Sequence, residues 1–209
     1  LMETQVSLSI FQLAVKGGFL MIVLLALSIL AFYIFGKRYW SLRLASKGNK
    51  AMLKDVISLA SAGKYDLAKE LCGKSGLPQF KLVKTALEHK DLPRTELRAV
   101  IEDEANALVA KYEQGLPTLA TISGGAPMIG FLGTVIGMIK AFMDMASHGA
   151  NVDITHLSNG IYTAMVTTVG GLVVGIIAYF AYNWLTSKVD DLAAQLESVS
   201  RRMTDLLAQ

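Results

Sequence analysis

The sequence predicts an all-α, polytopic membrane protein with three transmembrane helices and a helical extension outside the bilayer. Three observations predict it. Of the 209 residues 53% are hydrophobic and 18% charged, against roughly 45–50% and about 25% in ordinary soluble domains. No Asp, Glu, Lys or Arg occurs in residues 17–36, 114–139 or 154–187, and about 20 apolar residues span a bilayer as helix. Elsewhere apolar residues recur three or four apart, with no strand-like alternation. The single Cys72 excludes a disulfide scaffold, and a net charge of +3 without a separate basic domain excludes a nucleic-acid binder.

The elements follow in chain order. Residues 1–16 precede the first span, 17–36, which is rich in Leu, Ile and Phe and ends on Lys37-Arg38-Tyr39-Trp40, an interfacial basic and aromatic anchor. A cleaved signal peptide is rejected, because the apolar stretch is too long and no small-residue cleavage site follows it. Residues 37–113 hold 15 Lys and Arg against 10 acids, whereas residues 144–153 hold Asp144 and Asp153 and no Lys or Arg. The positive-inside rule then makes residues 1–16 and 144–153 periplasmic, and residues 37–113 and the tail 188–209 cytoplasmic. Cys72 falls in the reducing compartment as a structural thiol.

Within 37–113 the helix breaks are expected at Ala62-Gly63, between Gly73 and Pro78, and at Asp91-Leu92-Pro93. Beyond Asp91, read as an N-cap, Leu97, Ile101, Ala105, Leu108, Tyr112, Leu116 and Leu119 keep one face. That continuity predicts a single helix from about Thr95 through the second span, 114–143, some 70 Å in length at about 1.5 Å per residue. The third span is 154–187. In the tail, Val189, Leu192, Leu196, Val199, Met203 and Leu206 alternate spacings of three and four, a heptad seam expected to pack on the chain's own cytoplasmic helices or, alternatively, to form a contact between subunits. Three basic and four acidic groups in 188–209 argue against a membrane-surface helix.

The last two spans differ in kind from the first. Residues 115–175 hold eleven of the eighteen Gly, together with Thr118, Thr121, Thr134, Thr155, Thr163, Thr167 and Thr168. Small residues let helix backbones approach, so Gly130, Gly133, Gly137, Gly171 and Gly175 are assigned to helix packing, contacts between subunits included. Thr134, Gly137 and Ala141 share one face of the second span; Thr168, Gly171, Gly175 and Tyr182 share one face of the third. Thr163 and Thr167 form an adjacent stripe. Any single Thr can simply bond back to its own helix, but four in register predict a polar ion path of Thr134, Thr168, Thr163 and Thr167. His148, Asp153 and His156 are metal-ligand types whose spacing matches no helical pair, so they read as solvated loop polars and no metal or cofactor is expected. No phosphate loop or Ser/His/Asp set occurs, and no enzyme is predicted. A secondary transporter finds little support, since three spans show no inverted repeat and Pro127 alone does not mark a broken binding helix.

The run Gly124-Gly125-Ala126-Pro127-Met128-Ile129-Gly130-Phe131-Leu132-Gly133-Thr134-Val135-Ile136-Gly137-Met138-Ile139-Lys140-Ala141-Phe142 closely resembles the second-span signature of the ExbB/TolQ family. The run Gly160-Ile161-Tyr162-Thr163-Ala164-Met165-Val166-Thr167-Thr168-Val169-Gly170-Gly171-Leu172, with Ala178 to Asn183, resembles its third-span signature. The flagellar stator relatives, usually of four spans, fit less well. The resemblance implies a subunit of an inner-membrane proton-driven motor, a homopentamer whose second and third spans line a central pore. Inside that pore would sit the single spans of an ExbD-like or TolR-like partner dimer carrying a protonatable Asp. The work would be done on a TonB-like protein, energising outer-membrane transport, or alternatively on a TolA-like protein in envelope maintenance. By motif position Thr134 and Thr168 look like the pore-facing hydroxyls that meet the Asp. At Thr163 the sequence departs from many relatives, which carry Glu there.

Charge supports the same division of labour. No Asp or Glu lies in residues 114–143 or 154–187, so a proton relay needs an acid from a partner. One proton crossing about 150 mV releases roughly 3–4 kcal/mol, comparable with the roughly 2.5–3.5 kcal/mol of holding a charged Asp at mid-membrane. The threonine hydroxyls are expected to hydrogen-bond that carboxylate.

Overall fold

The computed structural model describes residues 18–46, 50–148 and 154–207. Among them run seven helices and no strand: α1 Gly18–Ser46, α2 Lys50–Ser61, α3 Tyr65–Gly73, α4 Pro78–Glu88, α5 Arg94–Glu113, α6 Leu116–His148 and α7 Ile154–Leu207. Three stretches are long and apolar enough to cross a membrane, within Gly18–Ala45, Arg94–Ser147 and Gly160–Leu207. The all-α class with three spans is therefore as the sequence predicts. The chain divides into two compact units, one of the described residues up to Phe35 with Pro117–Asn183, the other of Gly36–Leu116 with the chain from Trp184.

In the first unit the apolar side chains of α1 point two ways. Leu24 and Ala31 are buried, while Phe19, Ile22, Ile29 and Tyr33 are exposed. Leu20 lies against Gly133, and Met21 and Leu24 lie against Gly170, so α1 packs where the other two helices carry no side chain. Outward stand Phe131, Ile139, Met165, Val169, Ile176 and Phe180, as expected where lipid replaces water as solvent. Pro127 sits inside α6, which continues through it.

The second unit buries an ordinary core of Val56, Ala68, Phe80, Leu82, Val83, Leu87, Leu97 and Ile101. Gly63 ends α2 in the left-handed region at φ +74, and Lys64 N–H returns to the Leu59 carbonyl at 3.0 Å, the usual glycine stop. Pro78 opens α4, where its missing N–H has no helical partner to lose. The tail is no separate element, because α7 runs unbroken for 54 residues. Val189, Leu192, Leu196, Val199 and Met203 are buried and Leu206 half-buried. The tail packs on its own chain: Gln79 Nε2 donates to Gln195 Oε1 at 3.3 Å, and Arg94 Nη2 meets Asp205 Oδ1 at 2.8 Å.

Two expectations are corrected. Asp91 is not an N-cap: α5 starts at Arg94 with Pro93 in the cap position, and the Asp91 carboxylate pairs with Lys90 at 2.7 Å. Pro93 disfavours helical backbone at Leu92 and delays the start. The single helix from Thr95 onward is two helices, because Gln114 leaves helical geometry at ψ 127 and Gly115 turns left-handed at φ +87. Glycine adopts that φ without steric penalty, and Pro117 has no N–H to return to the carbonyl of Glu113.

Candidate functional site

The site lies on the seam between α6 and α7 in the first unit. Only residues 149–153 separate these helices in sequence, so their small faces are the first available to each other. A Cβ placed on Gly171 would stand 2.5 Å from the Ala126 carbonyl oxygen and 2.9 Å from Gly130 Cα. One on Gly130 would stand 2.9 Å from the Thr167 carbonyl oxygen; on Gly137, 2.7 Å from Ala164 Cβ; on Gly175, 2.5 Å from Pro127 Cγ. On Gly133 it would meet Thr167 Oγ1 at 2.5 Å. The five glycines thus bring two helices of one chain into close contact, four of them against facing backbone atoms and Gly133 against the Thr167 side chain. Those faces are occupied within the chain.

Thr134 and Thr168 meet across this seam. Thr134 Oγ1 donates to the Ala164 carbonyl at 3.1 Å, and Thr168 Oγ1 donates to the Gly130 carbonyl at 3.1 Å. The arrangement is reciprocal, since each hydroxyl reaches the carbonyl four residues before the other threonine. The two hydroxyls also contact each other, and both residues are half-buried. Close approach at Gly130 and Ala164 is what lets a short side chain reach the facing backbone.

Thr167 is placed differently. It is 2% exposed, its hydroxyl returns to the Ala164 carbonyl of its own helix at 2.7 Å, and its side chain fills the space over Gly133. Thr163 is half-buried one turn earlier. The four threonines therefore divide into a facing pair, one packing residue and one neighbour. His148, Asp153 and His156 lie outside the described side chains, and among the described residues no three His, Cys, Asp or Glu groups gather as metal ligands.

Proton counting sets what the pair can do. The pair has three contacts, two to backbone carbonyls and one between the hydroxyls, and its two hydroxyl protons fill two of them, so none is left over. Each hydroxyl has one proton and two lone pairs, so what remains to offer a third group is lone pairs. The pair accepts from a neutral carboxylic acid or from water. Donation to a carboxylate, as the sequence reading expects, requires giving up a bond that holds the seam. The carbonyls of Gly130 and Ala164 are the site atoms that sequence reasoning missed. Their signal was a small residue four positions before each threonine.

Comparison with known proteins gives the same stretch of chain its place. The pattern that defines the MotA/TolQ/ExbB proton channel family matches residues 75–198. A biopolymer transport protein ExbB of Neisseria meningitidis is 28% identical over 196 residues, 86% of this chain and 86% of its own length. A Synechocystis protein named ExbB-like 1 is 33% identical over 181 residues, 82% of this chain and 68% of that one. An ExbB homolog of Methanothermobacter thermautotrophicus is 28% identical over 199 residues, 94% of this chain and 70% of that one. With α6, α7 as far as residue 198 and all four threonines inside a match that takes in more than half its residues, the chain belongs to the MotA/TolQ/ExbB proton channel family.

Proposed function

We propose that the chain is the pore subunit of an inner-membrane proton-driven motor, most like ExbB, that converts proton motive force into work on an envelope partner and energises TonB-dependent outer-membrane transport. The observation that carries this reading is the Thr134–Thr168 pair, a polar contact between two spans that hold no carboxylate. Membership of a proton channel family, whose members are motor subunits and not enzymes, supports it. In this reading the subunit is a homopentamer in lipid. Residues 37–113 and the tail are cytoplasmic, and a single-span ExbD-like partner dimer supplies the Asp.

The hydroxyl pair then distinguishes the two states of that acid. A protonated Asp donates to the free lone pairs of Thr134 or Thr168 and docks. Once ionised it has no proton to donate, its charge costs roughly 2.5–3.5 kcal/mol at mid-membrane, and it leaves for water or a cation. Docking and release thereby follow protonation, and one proton crossing about 150 mV releases roughly 3–4 kcal/mol to drive the cycle. Thr163 borders the path, and Thr167 serves packing.

The test is copurification with the membrane partner, followed by proton flux at matched expression. A fivefold oligomer holding a small single-span protein is expected. The Thr134→Val, Thr168→Val double variant should keep that complex and lose flux. A chain that carries solute alone, or wild-type flux in the double variant, would count against the reading.

A further inference from the structure

Arg38 stands just past the first apolar stretch, and the sequence gives it no more weight than Lys37 or Arg43. Its guanidinium nevertheless makes two directed bonds, from Nη1 to the Lys111 carbonyl at 2.9 Å and from Nη2 to Gln114 Oε1 at 3.3 Å. Both acceptors lie at the end of α5. In an unbroken helix the Lys111 carbonyl would receive the N–H of Gly115, four residues on. Here Gln114 at ψ 127 turns that N–H away, and Arg38 takes the carbonyl. A cation at this point also meets the negative end of the helix dipole. The next residue, Tyr39, stacks on Trp184 with ring centroids 5.4 Å apart and planes at 29°. Two consecutive residues of α1 thus hold the end of α5 and a turn of α7.

Local sequence does not force the break. Pro117 withholds an N–H from the Glu113 carbonyl, yet Pro127 does the same to Ser123 and α6 continues through it. Apolar residues are buried on both sides of the break, Leu108 and Leu116 before Pro117 and Leu119 after it. Residues 111–117 therefore have two forms within reach. In one, Gly115 is left-handed and Arg38 bonds Lys111. In the other, α5 and α6 join as one kinked helix and the Gly115 N–H bonds Lys111. We propose that Arg38 is a latch that selects the broken form, and that Gly115 is a switchable pivot at the foot of α6, the helix that carries Thr134. The latch needs no assumption about the proton path.

Spin labels at Asn106 and Thr121, both exposed, read the pivot in the full chain in nanodiscs with Cys72→Ala. Gly115→Ala disfavours positive φ and supplies the reference distance distribution of the joined form. Wild type should give one narrow population. Arg38→Ala should move at least about a third of molecules to the reference population, and Arg38→Lys, which keeps one donor on Lys111, should recover most of the original. A wild-type distribution in Arg38→Ala overturns the latch. The pivot is overturned if Gly115→Ala itself matches wild type. Should Arg38→Ala fail to fold, Gln114→Ala removes only the second arm, and the same shift or its absence decides.

Discussion

Thr134 and Thr167 have identical side chains and opposite uses. Thr167 spends its hydroxyl on its own helix in a packed seam, so Thr167→Val, nearly isosteric, should change proton flux less than about twofold. Thr134 and Thr168 hold bonds across two helices. A net hydrogen bond is worth about 0.5–1.5 kcal/mol, so Thr134→Val and Thr168→Val should each slow a barrier-limited step by about two- to tenfold, and the pair together by about ten- to a hundredfold. Ser at either position restores the hydroxyl and should restore rate, which a loss of packing would not allow. In the second unit, burial pushes the Cys72 thiol up from 9.0 to about 11. At neutral pH it should resist thiol reagents until the chain is unfolded. Its raised folded-state value adds stability that is complete below about pH 9 and fades as pH rises through about 11. Melting temperatures between pH 8 and 11 should accordingly fall more in wild type than in Cys72→Ala.

At the scale of the element, the α6–α7 seam depends on backbone meeting backbone. A methyl on Gly171 would meet the Ala126 carbonyl oxygen at 2.5 Å and Gly130 Cα at 2.9 Å, atoms that cannot turn aside as a flexible side chain can. Gly171→Ala should therefore destabilise by about 1–3 kcal/mol, the range for overpacking. Gly124 lies on the facing helix, α6, with nothing within 4 Å of its would-be Cβ. There Ala should stabilise by about 0.5–1 kcal/mol through helix propensity alone. Thermal unfolding in mild detergent checks both signs in one experiment, and destabilisation by both substitutions would refute the seam as the cause. Four in register could be read from the threonines, but not how they divide. A hydroxyl at helical spacing looks the same whether it turns to its own backbone or to the facing one.

For the whole molecule, charge and lipid set the frame. The proposed topology rests on the excess of Lys and Arg in residues 37–113 over that in 144–153, read by the positive-inside rule. Lys64 and Ser147 are both exposed, and the buried Cys72 can be replaced by Ala to leave no competing thiol. Cysteine at Ser147 should label from outside intact cells and cysteine at Lys64 only after permeabilisation. Labelling of position 64 in intact cells would invert the topology, and with it the side from which a proton enters.

Helical class, the three spans, the stop at Gly63 and the apolar seam of the tail were determined by the sequence alone, because periodicity, composition and left-handed glycine act within a few residues. Only the tertiary structure decided which surfaces the small faces meet, that α5 ends at Glu113, and that Arg38 bonds its last turn. Glycines at helical spacing announce that something comes close without saying what. The partners of Arg38, Thr134 and Thr168 include the backbone carbonyls of Lys111, Ala164 and Gly130. Every residue carries a carbonyl, so no residue type could mark those three in advance.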